Sequence, residues 1–534
     1  MTTTHDAPSD PGVSRPLTHR QILAILSGLM MGMFLASLDQ TIVSTAMRTI
    51  ADKLDGQTAQ AWATTAYLVT STVSTPLYGK LSDIYGRKPF YMFSIGIFVV
   101  GSVLCGQAHS MYELAGFRAL QGLGAGGLMS LAFAIIGDVV AARERARYQA
   151  YIMSVFATSS VLGPVLGGFF AGHDTLLGVD GWRWIFYVNV PVGLAAMWVV
   201  RRNLKLPSRR SEHGIDYLGA TTLIATVVPF LLVAEKGREW GWGSTTTLSL
   251  IGVSLVSLAI LIPWESRLGD DAILPLRIFR NRNFRTISFV AFLLGIGMFG
   301  TLMLMPLYLQ IVRGLTPTRA GLQMVFFMAG MMGSSLTAGR LMRRTGRYRA
   351  FPIVGAAIAI IGSLLFSTLD ADTSMWQVRG YMVVMGAGLG LSMQMLMIAA
   401  QNALPMSDMG LSTATTTFFR SMGGTFGAAI GLSVLFSTVL GNIRERLLGA
   451  GIPSFYLDHV NGKSLDNTTT LLGELPPRIK HLVLSGFADS MHTVFLVMAC
   501  ILVPAFLSTW RIKEEPLREH SAVDAARLEE PATL

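Results

Sequence analysis

Apolar blocks of about twenty residues recur along the whole chain, and short polar stretches separate them. A helix rises about 1.5 Å per residue, so such a block is long enough to cross the roughly 30 Å hydrocarbon core of a bilayer. The blocks predict an all-α polytopic membrane protein with fourteen transmembrane helices. The predicted spans are 21–46, 60–80, 89–108, 112–137, 148–171, 183–202, 215–235, 244–263, 286–311, 319–341, 350–369, 376–401, 412–440 and 487–510.

An even number of spans places both chain ends on one side of the membrane. Lysine and arginine are denser in the loops that share a side with the N-terminus. Because cytoplasmic loops are rich in these residues, both termini are predicted to be cytoplasmic, as tails 1–20 and 511–534. The long loop 441–486 is then extracytoplasmic. The first apolar run lacks a cleavage site, so it is interpreted as a span and not as a removable signal.

Composition agrees with the membrane prediction. Of 534 residues, 51% are hydrophobic and only 14% are charged, whereas a soluble protein carries about a quarter charged residues. The net charge of +10 does not indicate nucleic-acid binding, because the basic residues lie in short loops between apolar blocks. The two cysteines lie inside apolar blocks, so neither a disulfide nor a metal site is expected. No cofactor is expected either.

Two cytoplasmic loops are similar in sequence. G-K-L-S-D-I-Y-G-R-K occupies residues 79–88, and G-R-L-M-R-R-T-G-R-Y-R occupies residues 339–349. Both place Gly-Arg seven and eight positions after the first glycine. The similarity predicts that the chain contains an internal repeat, with two halves that resemble each other. Its parts are an N-terminal six-span bundle at 21–202, two inserted spans with their loops at 203–285, and a C-terminal six-span bundle at 286–510.

The first of these loops resembles the signature loop of the major facilitator superfamily. L-D-Q-T-I-V-S-T-A-M (38–47), W-R-W-I-F-Y-V-N-V-P-V-G (182–193) and L-P-L-R-I-F-R-N-R-N-F (274–284) resemble its fourteen-span drug:proton antiporter branch. The resemblance implies alternating access gated by the first loop, with Gly79, Asp83, Gly86, Arg87 and Lys88 as gating residues. Asp83 is expected to bind helix-end amides and loop arginines such as Arg87. The second loop has Arg343 in place of Asp83, so the gate is expected mainly in the first copy.

Asp39 is the acidic residue that lies deep inside an apolar segment, where a charge is costly and is a functional candidate by default. It lies roughly 10 Å from the outer end of span 1, and Arg118 lies roughly 9 Å from the outer end of span 4. The two charges can pair if these spans are neighbours. One interpretation is a purely structural ion pair. The other is that Asp39 exchanges a proton or binds a cationic substrate. The family resemblance implies coupling to transport for Asp39 and proton transfer for Arg118.

Other residues at membrane depth give weaker indications. Arg420, in span 13, has no obvious acidic partner in the sequence, and Asp138 and Glu235 at span ends are expected to be solvated. Span 5 contains Gly163, Pro164, Gly167 and Gly168, which predict a kink and a close helix-packing face. This segment resembles the family's antiporter motif, which is associated with export. The match is partial, because Ser159 replaces a glycine of that motif.

Methionine is frequent, with 29 copies, and is dense in spans 10 and 12. Its flexible, polarizable side chain suits a poorly discriminating lipophilic cavity, although most of these residues are individually expected to face lipid or other helices. The residues proposed for such a cavity in span 12 are Met393, Gln394, Met397, Gln401 and Asn402.

The predicted function is a proton-coupled antiporter that exports hydrophobic or cationic drugs and dyes from a cell membrane, and not an enzyme. Its expected partners are small lipophilic substrates, protons and the lipid bilayer but no nucleic acid, and a monomer is the expected oligomeric state. An exporter of endogenous lipids or metabolites is the alternative within transport. A membrane receptor or scaffold without transport is the alternative of another class.

Overall fold

The computed structural model describes residues 19–56, 59–140, 142–204, 216–269, 271–450 and 476–517. Fifteen α-helices are found in these ranges. They are α1 His19–Lys53, α2 Gln60–Tyr85, α3 Arg87–Gly106, α4 Met111–Val139, α5 Ala142–Ala171, α6 Trp184–Tyr187, α7 Asn189–Asn203, α8 Tyr217–Trp240, α9 Thr245–Leu268, α10 Arg282–Ile311, α11 Pro317–Thr345, α12 Ala350–Ser367, α13 Met375–Ala403, α14 Met409–Gly449 and α15 Pro477–Thr509. Most of the predicted tails 1–20 and 511–534 lies outside the described residues.

Thirteen helical segments of the described chain are long and apolar enough to cross a membrane. The sixth span is composite: a 3-10 turn at Gly181–Arg183 leads through α6 into α7. Before it, a two-stranded antiparallel hairpin pairs β1 Thr175–Leu176 with β2 Val179–Asp180.

The remaining predicted span, 60–80, corresponds to α2, whose 26 residues are long enough but rich in threonine and serine. Its hydroxyl groups donate to backbone carbonyls one turn back, as Thr70 does to Ala66. The helix can be this polar because it packs against α4, α8 and α14, so protein covers much of its surface.

The helices pack as two bundles. The core of the first bundle comes from α1 to α7, and the core of the second comes from α10 to α15. The bundles meet mainly along two helix pairs, α2 with α14 and α5 with α11, and α4 with α14 and α5 with α13 make smaller contacts. We call the face that carries the start of α1 and the end of α15 the inner face, in keeping with the predicted orientation.

The inserted helices α8 and α9 pack against each other, and α8 also lies against both α2 and α14. One apolar cluster joins α2, α8 and α14. It includes Val69 and Val73 of α2, Leu223, Val227 and Leu231 of α8, and Phe418 of α14. The insert therefore lies beside the seam between the bundles.

Two predicted features of the chain need correction. The loop 441–486 is shorter than predicted, because α14 continues to Gly449 and α15 begins at Pro477; residues 451–475 lie outside the described residues. Similarly, α1 continues past the predicted end at residue 46 to Lys53. Hydropathy alone missed these ends because the extensions carry polar residues on helices that continue beyond their apolar part.

Candidate functional site

Asp39 is the centre of a buried polar cluster inside the N-terminal bundle. Arg118 Nη1 donates to one carboxylate oxygen, Oδ2, at 2.5 Å. The other oxygen, Oδ1, accepts from Gln121 Nε2 and from Asn189 Nδ2, each at 2.8 Å. Ser102 connects the two amides, since its hydroxyl accepts from Gln121 at 2.7 Å and from Asn189 at 3.4 Å. Four helices, α1, α3, α4 and α7, therefore converge on one carboxylate.

Burial of this cluster is nearly complete. Asp39, Gln121 and Asn189 are 0% exposed, and Arg118 is 1% exposed. The guanidinium carbon of Arg118 lies 4.0 Å from the ring centroid of Tyr67 on α2, so an aromatic face supports the cation. Arg118 Nε and Asn189 Oδ1 are buried without a hydrogen-bond partner among the described residues.

The sequence pointed to Asp39 and Arg118, and the structure brings them together. The predicted distance of roughly 10 Å from Asp39 to the outer end of its helix was too short. Helix α1 extends to Lys53, so Asp39 lies roughly 20 Å from that end. Gln121 and Asn189 were missed as partners of Asp39. Asn189 lies within the 182–193 segment and Gln121 lies three residues after Arg118, but a neutral amide in an apolar segment gave no signal of its own.

The glycine-rich face of α5 packs next to Asp39. A methyl group built on Gly163 would overlap the hydroxyl of Thr41, and one built on Gly167 would lie 2.8 Å from the carbonyl oxygen of Ile42. Thr41, two residues after Asp39, donates to the carbonyl of Ser159 at 3.1 Å. The residue that replaces the motif's glycine thus contributes its backbone to this contact.

The same segment of α5 also faces the C-terminal bundle. A methyl group built on Gly321 of α11 would lie 2.8 Å from Pro164 Cγ. One built on Gly168 would have only Thr318 Oγ1 nearby, at 3.7 Å. The predicted packing face is present, within an α5 that remains helical through Pro164. Helix α5 therefore links the Asp39 segment of α1 to the other bundle.

At the inner face, Asp83 connects the bundles. Its Oδ2 accepts from the backbone N–H of Leu411, in the first turn of α14, at 3.1 Å, and its Oδ1 pairs with Arg87. Arg87 also binds Asp138 of α4 through Nε at 2.8 Å, so Asp138 is not a merely solvated span end as predicted. A methyl group on Gly410 would overlap both Asp83 and Arg87, which explains why a glycine occupies that position.

The other gating residues support this contact. A methyl group on Gly79 would overlap the Cβ of Ala414 on α14. Gly86 has φ 98° and ψ 151°, a conformation that favours glycine, and it separates α2 from α3. Lys88 Nζ donates to the carbonyl of Arg201 at the end of α7, at 2.8 Å. Arg343, the counterpart of Asp83 in the second copy, is exposed.

Asp83 lies beyond the predicted span 60–80. Burial raises the pKa of its carboxyl to about 6; the neighbouring Asp138 also raises it, and Arg87 lowers it. The environment of Asp83 therefore shifts the pKa of its carboxyl toward neutral pH.

A sequence model described as the Major Facilitator Superfamily matches residues 29–428. The chain belongs to the major facilitator superfamily. It is a transporter and a multi-pass protein of the cell membrane.

Several curated relatives are similar to this transporter over most of its length. An uncharacterized MFS-type transporter of Mycobacterium tuberculosis (strain ATCC 25618 / H37Rv) is 35% identical over 93% of this chain and 70% of its own. The multidrug transporter protein MdtP of Bacillus subtilis (strain 168) is 34% identical, over 90% of this chain and 86% of its own. The MFS-type transporter of the acurin A biosynthesis cluster of Aspergillus aculeatus is 30% identical, over 91% of this chain and 88% of its own.

Solved structures confirm the fold. The proton:xylose symporter XylE superposes with a TM-score of 0.59 at 14% identity, over 96% of this chain and 99% of its own. At that identity the likeness supports the architecture of the transporter and nothing about its substrate.

The residues predicted to form a cavity in α13 are packed in this transporter. Gln394 is 7%, Met397 3%, Gln401 2% and Asn402 5% exposed, whereas Met393 is half-buried against the C-terminal core. They do not line an open cavity in this conformation, because the inner half of α13 is enclosed by its own bundle and by α4 and α5.

Two of them make specific contacts. Gln401 donates to Thr413 Oγ1 at 2.9 Å and to the carbonyl of Phe133, in the other bundle, at 3.4 Å. Asn402 donates to the carbonyl of Pro516 at 3.1 Å and so fixes the C-terminal segment under the bundle. Gln401 is therefore an inter-bundle contact of the closed inner face.

The methionines of α11 and α13 mainly build the core. Met324, Met328, Met331 and Met395 are each less than one-tenth exposed and belong to the C-terminal core cluster. The frequent methionines of these spans thus mainly fill the core of the C-terminal bundle and do not mainly form a lipophilic surface.

Arg420 of α14 lies between the bundles. Its guanidinium carbon is 5.7 Å from the ring centroid of Phe133 on α4. Within the described part of the chain it has no ion pair. This half-buried cation faces the neighbouring bundle across the seam.

Proposed function

We propose that this transporter exports hydrophobic, often cationic drugs or dyes in exchange for protons, by alternating access between its two bundles. The observation that carries the proposal is the Asp39 cluster, a fully buried carboxylate whose oxygens accept from Arg118, Gln121 and Asn189. We further propose that both termini lie in the cytoplasm and that the transporter functions as a monomer.

The cluster favours a carboxylate in this conformation, because three groups donate to its two oxygens. A protonated Asp39 would direct its own O–H toward one of these donors. Proton uptake therefore requires the cluster to rearrange, and the rearrangement requires water to reach a residue that is 0% exposed here. Protonation and conformation are linked by this requirement.

The packing of α1 provides a route from the cluster to the bundle interface. Thr41 and Ile42 contact the glycine face of α5, and the same part of α5 contacts Gly321 of α11. A small shift of α1 at Asp39 is therefore transmitted to a helix that touches the other bundle, since close-packed helices do not deform independently.

The relatives support an exporter of foreign compounds, because the name of MdtP describes a multidrug transporter. The relative from the acurin A biosynthesis cluster supports the second candidate, an exporter of an endogenous metabolite. Both candidates use the same proton-linked mechanism and differ in the substrate.

The decisive experiment reconstitutes the protein in liposomes and imposes a pH gradient. Wild-type protein should move a lipophilic cationic dye against its concentration gradient, and Asp39→Asn should abolish this movement. Asp174→Asn, the same change at an exposed residue, is the matched control and should transport normally. Undiminished dye transport by Asp39→Asn would refute the coupling role. Transport of a lipid or metabolite in place of every dye would favour the second candidate.

A further inference from the structure

A second buried carboxyl pair lies on the inserted helices, away from the Asp39 cluster. Asp216 precedes α8 and caps its first turn: its Oδ1 accepts from the backbone N–H of Gly219 at 2.7 Å and from Trp264 Nε1 at 2.9 Å. Glu265 lies near the end of α9, and its Oε2 accepts from the backbone N–H of Leu274 at 3.1 Å. Asp216 is 6% exposed and Glu265 is 1% exposed.

The remaining oxygen of each carboxyl is buried without a hydrogen-bond partner among the described residues. These atoms are Asp216 Oδ2 and Glu265 Oε1. They flank one point: a methyl group built on Gly219 would overlap the first and lie 2.9 Å from the second. Two buried acceptors that converge without a donor are costly, so the pair requires a positively charged or hydrogen-bonding ligand between its members.

Among the described residues, Lys80 of α2 is a charged side chain that acts on this pair from a neighbouring element, through an electrostatic interaction with Glu265. Lys80 is buried, at 8% exposure, and lies inside the 79–88 gating loop. Two ionised carboxyls and one lysine would leave an excess negative charge. One added proton makes the group neutral.

We propose that Asp216 and Glu265 together bind one proton, and that this proton site on the inserted helix pair senses the gating segment of α2 through Lys80. Two carboxyls held this close favour a single shared proton, because the second ionisation would place two negative charges side by side. The proton supplies the donor that the two unpartnered oxygens lack.

The position of the insert gives the site a link to the transport cycle. Helix α8 lies against both α2 and α14, the helices that close the inner face. Any motion of α2 relative to α14 moves Lys80 relative to the carboxyl pair and changes the preference of the pair for its proton. This link rests on the proposed alternating-access function, whereas the proton site itself does not.

The test uses purified full-length protein in detergent, at equilibrium and without transport. Infrared spectroscopy should detect a protonated buried carboxyl near neutral pH in the wild-type protein. Glu265→Gln should lose this signal, because the glutamine amide replaces the shared proton as a donor to Asp216. Glu239→Gln, at an exposed residue of α8, should keep it. Lys80→Met removes a positive charge that opposes protonation of the pair. In this variant the infrared signal should persist to a pH about one unit higher than in the wild-type protein.

Thermal stability provides a second readout, which compares the wild-type protein with Glu265→Gln. As pH rises from about 5 to about 8, the wild-type pair loses its proton and the carboxyls repel each other, so its melting temperature should fall relative to that of Glu265→Gln. Identical infrared spectra and parallel stability profiles for the two proteins would overturn the proposal. A higher melting temperature in sodium chloride than in choline chloride, if it is absent in Glu265→Gln, would also overturn the proposal. That result would assign the site to a metal cation. A failure of dye transport with an intact infrared signal would count against the proposed function and not against the proton site.

Discussion

The N-terminal bundle holds Asp39 against Arg118, with amide groups from α4 and α7 completing the coordination of the carboxylate. The C-terminal bundle has a core of aliphatic, aromatic and methionine side chains. The cation at membrane depth on its side of the seam, Arg420, rests over the ring of Phe133. The two halves, which share a loop motif, thus differ in how they carry charge.

The gating loops differ in the same way. In the first copy, Asp83 accepts from an amide of α14 and pairs with Arg87. In the second copy, Arg343 replaces Asp83 and is exposed. In the proposed mechanism, the N-terminal half therefore carries the proton-coupled cluster and the gating contact, and the C-terminal half supplies the packed surface that they act against.

The largest expected effect comes from breaking the buried pair. Arg118→Met leaves the Asp39 carboxylate buried without its counter-charge, and removal of one partner of a buried ion pair costs about 3–5 kcal/mol. Arg420→Met removes a cation that has no ion pair among the described residues and should cost less than about 1 kcal/mol. Thermal unfolding of both variants in detergent measures the contrast.

A paired substitution sharpens this prediction. Asp39→Leu combined with Arg118→Met removes both charges and should recover much of the lost stability. Equal destabilisation by Arg118→Met and Arg420→Met would show that the two halves do not differ in how they hold charge.

An intermediate effect is expected at the glycine face of α5. Gly163→Ala forces a methyl group into the Thr41 hydroxyl, beside Asp39, and should destabilise the protein by about 1–3 kcal/mol. Gly168→Ala introduces a methyl group with a neighbour at an ordinary 3.7 Å and should be tolerated within about 0.5 kcal/mol. Unfolding curves of the two variants measure this difference. If Gly163→Ala leaves the free energy of unfolding unchanged, α5 is not part of the route between the bundles.

A smaller effect is expected from pH at the inner face. Burial raises the pKa of Asp83 to about 6 in the closed conformation, and opening would solvate the group and return its pKa to the ordinary range. The closed state therefore binds a proton more tightly, so lowering the pH from about 7 to about 5 should shift the equilibrium toward closure roughly tenfold.

Closure can be followed by thiol labelling of Ala414→Cys, which faces Gly79, in a Cys500→Ser background. Labelling should slow as the pH falls. Asp83→Asn should lose this dependence and Arg343→Ala should keep it. A pH dependence that survives in Asp83→Asn would assign the titration to another group.

The sequence was sufficient to predict the helices, because twenty-residue apolar blocks have few other interpretations in a chain with 14% charged residues. It also singled out Asp39 and Arg118, because a charge inside such a block is conspicuous. Gln121, Asn189 and the Asp216–Glu265 pair were not predictable. Neutral amides and span-end acids occur widely in membrane proteins, and only the helix arrangement shows which of them converge.

The cavity role of the α13 residues stays a prediction for a related reason. Met397, Gln401 and their neighbours have the right chemistry for a lipophilic cavity, but burial depends on which conformation the two bundles adopt. In a closed inner face the same side chains form contacts within and between the bundles. The sequence specifies which residues lie along a helix, but not the conformation of the transport cycle in which their side chains are exposed.

The central claim, that Asp39 is the proton-coupled carboxyl, is tested most directly by proton release on substrate binding. Purified wild-type protein in weakly buffered detergent, at a pH low enough for Asp39 to have taken up its proton in the open conformation, should release about one proton per molecule when a lipophilic cationic dye is added. Asp39→Asn should bind the dye with little or no release, and Asp174→Asn should behave as the wild type. Release of the same number of protons by Asp39→Asn would contradict the account.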